Sequence, residues 1–179
     1  MLSIPTEESI TVEWFNACFA KAGLTGEVNG FDAARVGTGQ IGKCVRYTLR
    51  FADQGELPAS VIGKFPSDDE NSRQTGVVLL NFLKEVRFYQ ELQHRIAIKT
   101  PRCYFSEIID QGPEFFLLLQ DLAPAQQGDQ LAGCSPQVAE AALAELVGLQ
   151  APAWCDETLH ELKWLRDAET ATLVNTMDL

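Results

Sequence analysis

The chain has 179 residues, a hydrophobic fraction of 46% and a charged fraction of 22%, values of an ordinary globular protein with one domain, or with one domain and the start of another. Its 14 Lys and Arg against 25 Asp and Glu give a net charge of −11 without a compensating basic run, so neither nucleic acid nor a membrane is expected as a partner. The five cysteines are widely spaced and the N-terminus is not a signal peptide, so we expect a cytoplasmic protein without a zinc site or disulfide framework.

Periodicity predicts an α+β fold in the order helix, three strands, long helix, two strands, linker and further helices. We expect a mostly antiparallel sheet of about five strands packed on the long helix. The predicted helices cover 9–22, 74–96, 136–150 and 156–166, and the predicted strands cover 28–36, 43–51, 60–65, 101–109 and 114–119. The polar residues 67–73 predict a loop, and Pro152 is expected to end the helix that begins at 136.

A glycine-rich segment, RVGTGQIGKCVRY, spans 35–47 and contains Gly37-x-Gly39-x-x-Gly42. A dinucleotide-binding loop of this form requires a helix directly after it, whereas the residues that follow here alternate like a strand. The phosphate loop of NTPases also requires a helix, and Cys44 replaces the Ser or Thr that would bind magnesium. Two interpretations fit a strand: a glycine-rich hairpin turn, or the glycine loop that closes over ATP phosphates in protein-kinase-like folds.

A lysine and a glutamate stand in apolar surroundings farther along the chain. Lys64 ends the apolar strand SVIGKF, and Glu85 shares a predicted helix face with four apolar or aromatic residues, Val78, Phe82, Tyr89 and Leu92. Because burial of a lone carboxylate is costly, we expect Glu85 to pair with a cation, and Lys64 is the natural candidate. In the alternative, Lys64 reaches solvent at the strand edge and Glu85 is solvated beside Lys84 and Arg87.

Five segments follow one another with the order and spacing of a kinase family: VGTGQIGKCVRYTLRF, SVIGKF, FLKEVRFYQEL, FFLLLQDL and ALAELVGLQAPAW. Through them the chain resembles the N-terminal portion of the aminoglycoside-phosphotransferase-like kinases, particularly their ecdysteroid-kinase-like and related bacterial branch. The resemblance implies a protein-kinase-like N-lobe that binds ATP over 1–122, a hinge or linker over 123–134, and the start of a truncated helical C-lobe over 135–179. The implied nucleotide site comprises Gly37, Thr38, Gly39, Gln40, Ile41, Gly42, Lys64, Glu85, Gln120, Asp121 and Leu122.

The resemblance implies that the glycine loop covers the triphosphate, that Lys64 contacts phosphate, and that Glu85 holds Lys64 in place. Backbone groups of Gln120 and Leu122 would face the adenine edge. Relatives often carry Glu at the position of Gln120, a change that a backbone contact tolerates.

The chain departs from the family because it lacks the H-x-D-x-x-x-x-N loop that supplies the catalytic base, and a second acid for magnesium. Neither His94 nor His160 stands in such a loop, and Asp110-Gln111-Gly112 is a hairpin-turn signal. We therefore expect no catalytic or metal-binding residue here, and magnesium and a small-molecule acceptor to bind only with the missing C-lobe. The predicted function is the ATP-binding portion of a small-molecule phosphotransferase; the alternative is a truncated, non-catalytic module that binds nucleotide or a partner. We also expect the chain alone to transfer no phosphate and, through apolar helices after 136, to self-associate or need a partner.

Overall fold

A computed structural model describes residues 2–165 of the chain, except 38, 40, 127 and 130. Five strands form one antiparallel sheet in the order β1-β2-β3-β5-β4. Their bounds are β1 Glu27–Val36, β2 Gly42–Asp53, β3 Ser60–Pro66, β4 Cys103–Ile108 and β5 Phe115–Gln120. The prediction of an α+β protein with an antiparallel sheet of this size is confirmed. Because β2 begins at Gly42 as a strand paired with β1, the phosphate-loop alternative, which needs a helix at Lys43, is wrong.

The helices are α1 Val12–Lys21, α2 Glu70–Val78, α3 Asn81–Arg87 and α4 Pro136–Ala153. Short 3-10 turns cover Glu7–Ser9, Gln93–Arg95 and Glu157–Glu161, and a π-helical turn covers Phe88–Leu92. None of the helices in the described part of the chain has the length and apolar content needed to cross a bilayer.

Helix α1 covers one face of the sheet. It begins where Thr11 accepts a hydrogen bond from the Trp14 amide at 3.2 Å, which satisfies a free N–H of the first turn. Trp14, Phe15, Cys18 and Phe19 of α1 are buried against alternate residues of the strands, among them Val45, Tyr47, Val61, Phe65, Phe116 and Leu118. Because side chains alternate along a strand, the intervening residues of β2 and β3, Cys44, Arg46, Ile62 and Lys64, lie on the opposite face.

The long helix predicted over 74–96 is instead two helices and a pair of irregular turns, so that prediction is wrong. Leu80 breaks it by adopting a left-handed conformation with φ of 55°. This conformation is costly for a leucine. The Leu80 side chain is buried with Leu83 and Trp164, and this burial offsets the strain. The predicted loop over 67–73 is also partly wrong, since Asp69 accepts a hydrogen bond from the Ser72 amide at 2.8 Å and α2 begins at Glu70.

The break moves Val78 off the face that we predicted it to share with Glu85. Val78 lies at the end of α2 and is exposed. Phe82 and Val86 of α3 are buried against Phe115 and Leu117 of β5, on the face opposite α1. Helix α3 therefore covers the β4–β5 end of that face.

Helix α4 continues through Pro152 to Ala153, so the predicted end before Pro152 is wrong. A proline inside a helix leaves the carbonyl four residues earlier without its usual donor. Here that carbonyl belongs to Gly148, and it accepts a hydrogen bond from the Ala97 amide at 2.8 Å instead. The proline therefore leaves the Gly148 carbonyl with a hydrogen-bond partner.

The segment predicted as a helix over 156–166 contains a 3-10 turn over Glu157–Glu161 and a helical turn at 163–165, and residue 166 and the pattern beyond it lie outside the described residues. Trp164 is buried against Leu80 and Leu83. Helix α4, in contrast, has no buried residue, and the exposed large apolar side chains on and after it are Val138, Leu143, Leu146, Val147 and Trp154.

Candidate functional site

An ion pair between Lys64 and Glu85 lies on the sheet face opposite α1. The Lys64 Nζ is 2.6 Å from both carboxylate oxygens of Glu85, with 27% of the lysine side chain and 31% of the glutamate side chain exposed. The predicted pairing of these residues is therefore confirmed. An ammonium carries three N–H donors and the carboxylate occupies two. Among the described residues no other acceptor binds the Lys64 ammonium, so one donor is available to a ligand.

The sheet positions Lys64, because it lies between Cys44 of β2 and Leu117 of β5 in the antiparallel register. Helix α3 positions Glu85 through its neighbour Phe82, whose ring stacks on that of Phe115 with centroids 4.6 Å apart. The two charges thus meet where α3, packed on β5, lies next to the central strand β3. Both groups remain partly exposed, as a site for a soluble ligand requires.

The glycine loop joins β1 to β2 beside this ion pair. Gly37 has a φ of 75°, a conformation that favours glycine. A Cβ on Gly39 would lie 2.6 Å from the Gly42 carbonyl oxygen, and a Cβ on Gly42 would lie 3.1 Å from the Phe65 carbonyl oxygen and 3.7 Å from Lys64 Cε. The loop therefore folds closely on itself and approaches the Lys64 side chain, and larger residues at these two positions would displace it.

The remaining loop residues differ in what the structure shows of them. Ile41 packs with the cluster that contains Phe82, and its carbonyl accepts a hydrogen bond from the Ser67 amide at 3.2 Å. Thr38 and Gln40, also predicted to bind nucleotide, lie outside the described residues. Ile41 thus connects the loop to the helices that carry Glu85.

The segment predicted as a hinge follows β5. The Gln120 amide donates to the Arg102 carbonyl at 2.8 Å and its side chain accepts from the Arg102 amide at 3.2 Å, so the Gln120 N–H is already occupied. Leu122 is exposed, and within the described residues its amide has no hydrogen-bond acceptor, which leaves a backbone donor available. Leu122 lies five residues beyond Leu117, the partner of Lys64 in β5, or about 16 Å along an extended chain.

Asp121 has contacts that the sequence did not indicate. Its carboxylate accepts from Arg46 Nε at 2.6 Å, Arg46 Nη2 at 3.2 Å, Ser60 Oγ at 2.7 Å and the Ala123 amide at 3.0 Å. Burial alone would raise the pKa of Asp121, but these hydrogen bonds outweigh it and the pKa is lowered. The side chain is only 4% exposed. Asp121 therefore fixes the segment after β5 to β2 and β3, while its own carboxylate has little surface for a ligand.

Cys44 and Arg46 belong to the same face and were not predicted as site residues. Burial raises the pKa of the Cys44 thiol, against an opposing effect of the Lys64 ammonium. Burial and, to a smaller extent, Glu85 raise the pKa of the nearby Tyr89 to about 12. Strand alternation could have placed Cys44 and Arg46 on one face, since they lie two residues apart in the same strand.

The arrangement provides an ammonium donor on one face of the sheet and a backbone donor after β5, with the glycine loop beside the ammonium. Such a set can bind an anionic group at Lys64 and a hydrogen-bonding edge at Leu122. In the parts of the chain that the structure describes, no group of three or more His, Cys, Asp or Glu side chains is placed to hold a metal ion. Comparison of the chain with protein-family models and with curated proteins finds no match.

Proposed function

We propose that this face of the sheet binds ATP, and that the chain is the nucleotide-binding portion of a small-molecule phosphotransferase with a protein-kinase-like N-lobe. The observation that carries the proposal is the Lys64–Glu85 ion pair beside the glycine loop. A carboxylate that holds a lysine through two contacts restricts the ammonium to one orientation. Its third donor can then contact a phosphate oxygen without further loss of side-chain freedom.

Several of the other predicted residues fit a nucleoside triphosphate in an extended pose; the Gln120 N–H, which donates to the Arg102 carbonyl, is not one of its donors. The glycine loop approaches Lys64 closely, and the lack of side chains at Gly39 and Gly42 allows its backbone to pack tightly beside the ammonium, where it would lie over phosphates. The free amide of Leu122 would donate to the adenine edge. The five residues from Leu117, the partner of Lys64, to Leu122 span about 16 Å when extended, which is comparable to the length of such a ligand. Asp121 would act as a positioning residue through the hinge backbone.

In a complete phosphotransferase, ATP would supply the γ-phosphate that passes to a hydroxyl of the acceptor. The role of this chain would be to bind and orient that phosphate, with Lys64 neutralising part of its charge. The acceptor and magnesium would be bound largely by groups outside this lobe. A non-catalytic module that binds nucleotide or a partner is the second candidate, and the exposed apolar side chains along α4 favour the partner-binding version of it.

Titration of the chain with ATP and with a fluorescent ADP analogue, in the presence of Mg²⁺, tests the proposal. Lys64→Ala should weaken binding about 10- to 100-fold, because it removes a charge-assisted contact. Glu85→Gln keeps Lys64 but removes the negative charge that holds its ammonium. This variant should weaken binding by a smaller factor.

Lys99 and Glu145 supply a matched control, since they form an ion pair of 2.9 Å on the surface, with the lysine side chain 89% exposed. Lys99→Ala and Glu145→Gln should leave nucleotide affinity unchanged. Saturable binding that Lys64→Ala and Lys99→Ala affect equally would refute the assignment of the site. Absence of saturable ATP or ADP binding by the unmodified chain would refute nucleotide binding altogether.

A further inference from the structure

A cavity of about 790 Å³ lies between the N-terminal residues 2–8, the loop after β3, and the β4–β5 hairpin. Its volume falls within the range of sites for small molecules. None of the residues that line it belongs to the predicted nucleotide site. A ligand in this cavity would therefore contact a set of residues separate from the predicted nucleotide site.

The walls of the cavity are largely apolar. Phe65 is buried at its inner side, and Leu2, Ile4 and Pro5 add aliphatic surface. Apolar walls of this kind favour the hydrocarbon or aromatic part of a ligand, whose burial removes it from water. They give no reason to bind a small hydrophilic ion.

The two cations at the cavity are already engaged by the protein. The Lys43 Nζ is 2.7 Å from a Glu7 carboxylate oxygen and 2.6 Å from one of Asp68. Arg73 donates to the carbonyls of Ser67 and Asp68 at 2.9 Å each, and also pairs with Glu70. Each of these cations is paired with at least one carboxylate, so its charge is already compensated within the protein.

Carboxylates at the same cavity are in excess. Five of its lining residues are acids, namely Glu7, Glu8, Asp68, Glu107 and Glu114, against two cations. Glu107 and Glu114 belong to the β4–β5 hairpin and, within the part of the chain that the structure describes, neither has an ion-pair partner. Their uncompensated charges favour a cationic group at this side of the cavity.

We propose that this cavity binds a small molecule that joins an apolar body to a protonated amine. The apolar part packs against Ile4, Pro5 and Phe65, and the ammonium lies near Glu107 and Glu114. An aliphatic amine is protonated at neutral pH, since its pKa is near that of lysine. The combination of apolar walls with unpaired carboxylates excludes carboxylic acids of the same shape.

Calorimetric titration with 4-phenylbutylamine at pH 7 tests the proposal, with 4-phenylbutan-1-ol and 4-phenylbutyrate as neutral and anionic probes of the same shape. The amine should bind most tightly and the acid least. Glu107→Gln with Glu114→Gln should weaken amine binding about three- to tenfold and leave alcohol binding unchanged, because it removes two partly exposed charge pairs. Glu27→Gln with Glu140→Gln, which changes the net charge equally but lies outside the cavity, should have no effect.

A second variant tests the cavity itself. Ile109 is an exposed lining residue, so Ile109→Trp should fill the space without loss of stability and should abolish binding of the amine. Equal affinities for the amine and the alcohol would overturn the proposal, as would amine binding that survives both Ile109→Trp and the double glutamine substitution. Absence of saturable binding of any of the three probes would overturn it as well.

Discussion

The carboxylate of Asp121 ties the segment after β5 to two other strands, and its removal should cost more than the loss of any surface charge. Asp121→Ala would remove four hydrogen bonds and leave Arg46 and Ser60 without their acceptor. The loss of one partner from a fully buried pair costs about 3–5 kcal/mol. Because 39% of the Arg46 side chain is exposed and water can reach it, we expect about 2–3 kcal/mol here.

Equilibrium unfolding in urea, followed by tryptophan fluorescence, measures this cost. In thermal melts the melting temperature should fall by about 5–10 °C, because each kcal/mol shifts it by about 2–4 °C in a chain of this size. Asp32→Ala is the matched control, because Asp32 pairs with Arg50 on the surface and should contribute less than about 0.5 kcal/mol. If both variants lose the same free energy of unfolding, the Asp121 carboxylate is hydrated and does not hold the segment after β5.

The contribution of Asp121 should also depend on pH. Its pKa is lowered in the folded chain, so its stabilisation is present above the unfolded pKa of about 4 and is lost as the pH falls through the folded pKa. The difference in unfolding free energy between the unmodified chain and Asp121→Asn should therefore stay constant from neutral pH to about pH 5, and shrink below pH 4. A difference that grew on acidification would contradict this sign.

Three further predictions concern packing and the surface. The buried Tyr47 hydroxyl has no hydrogen-bond partner within the described residues, so Tyr47→Phe should raise the unfolding free energy by about 1 kcal/mol; a loss of stability would reveal a partner. A Cβ on Gly76 would lie 2.3 Å from Phe82 Cζ, so Gly76→Ala should destabilise by about 1 kcal/mol despite a better helix propensity, whereas Gly128→Ala, with open space around it, should not. Trp154 is 76% exposed, so Trp154→Ser should reduce self-association in sedimentation experiments without change in unfolding free energy, and an unchanged sedimentation coefficient would contradict a role in association.

The sheet was predictable from the sequence because β2 and β3 alternate clearly, β5 is a short continuous apolar run, and glycine and proline turns separate the strands. The pairing of Lys64 with Glu85 was also predictable, since a carboxylate on an apolar helix face needs a cation and few are near in the predicted order of elements. The signal for the strands is local in the sequence. The pairing follows from one energetic requirement, that a buried carboxylate needs a cation. The ATP-binding role of the pair stays a prediction.

The parts that could not be predicted depend on contacts between distant residues. Leu80 carries no local sign of a left-handed conformation, which its burial beside Leu83 and Trp164 stabilises. Pro152 continues its helix because the Ala97 amide, far away in the sequence, satisfies the Gly148 carbonyl. The contacts of Asp121 could not be predicted, because its carboxylate accepts from Arg46 and Ser60, which precede it by many residues. Tertiary structure overrides local preference at each of these positions.

The position of Glu85 depends on residues that would touch no ligand. Its neighbour Phe82 stacks on Phe115 and lies against the backbone of Gly76 and of Gly112, where a Cβ would come within 2.9 Å of the ring. Since α3 is only two turns long, its own hydrogen bonds cannot hold it in place, and the Phe82 ring supplies much of its attachment to the sheet. The geometry of the Lys64–Glu85 pair is therefore a property of the packing around Phe82 as much as of the two charged residues.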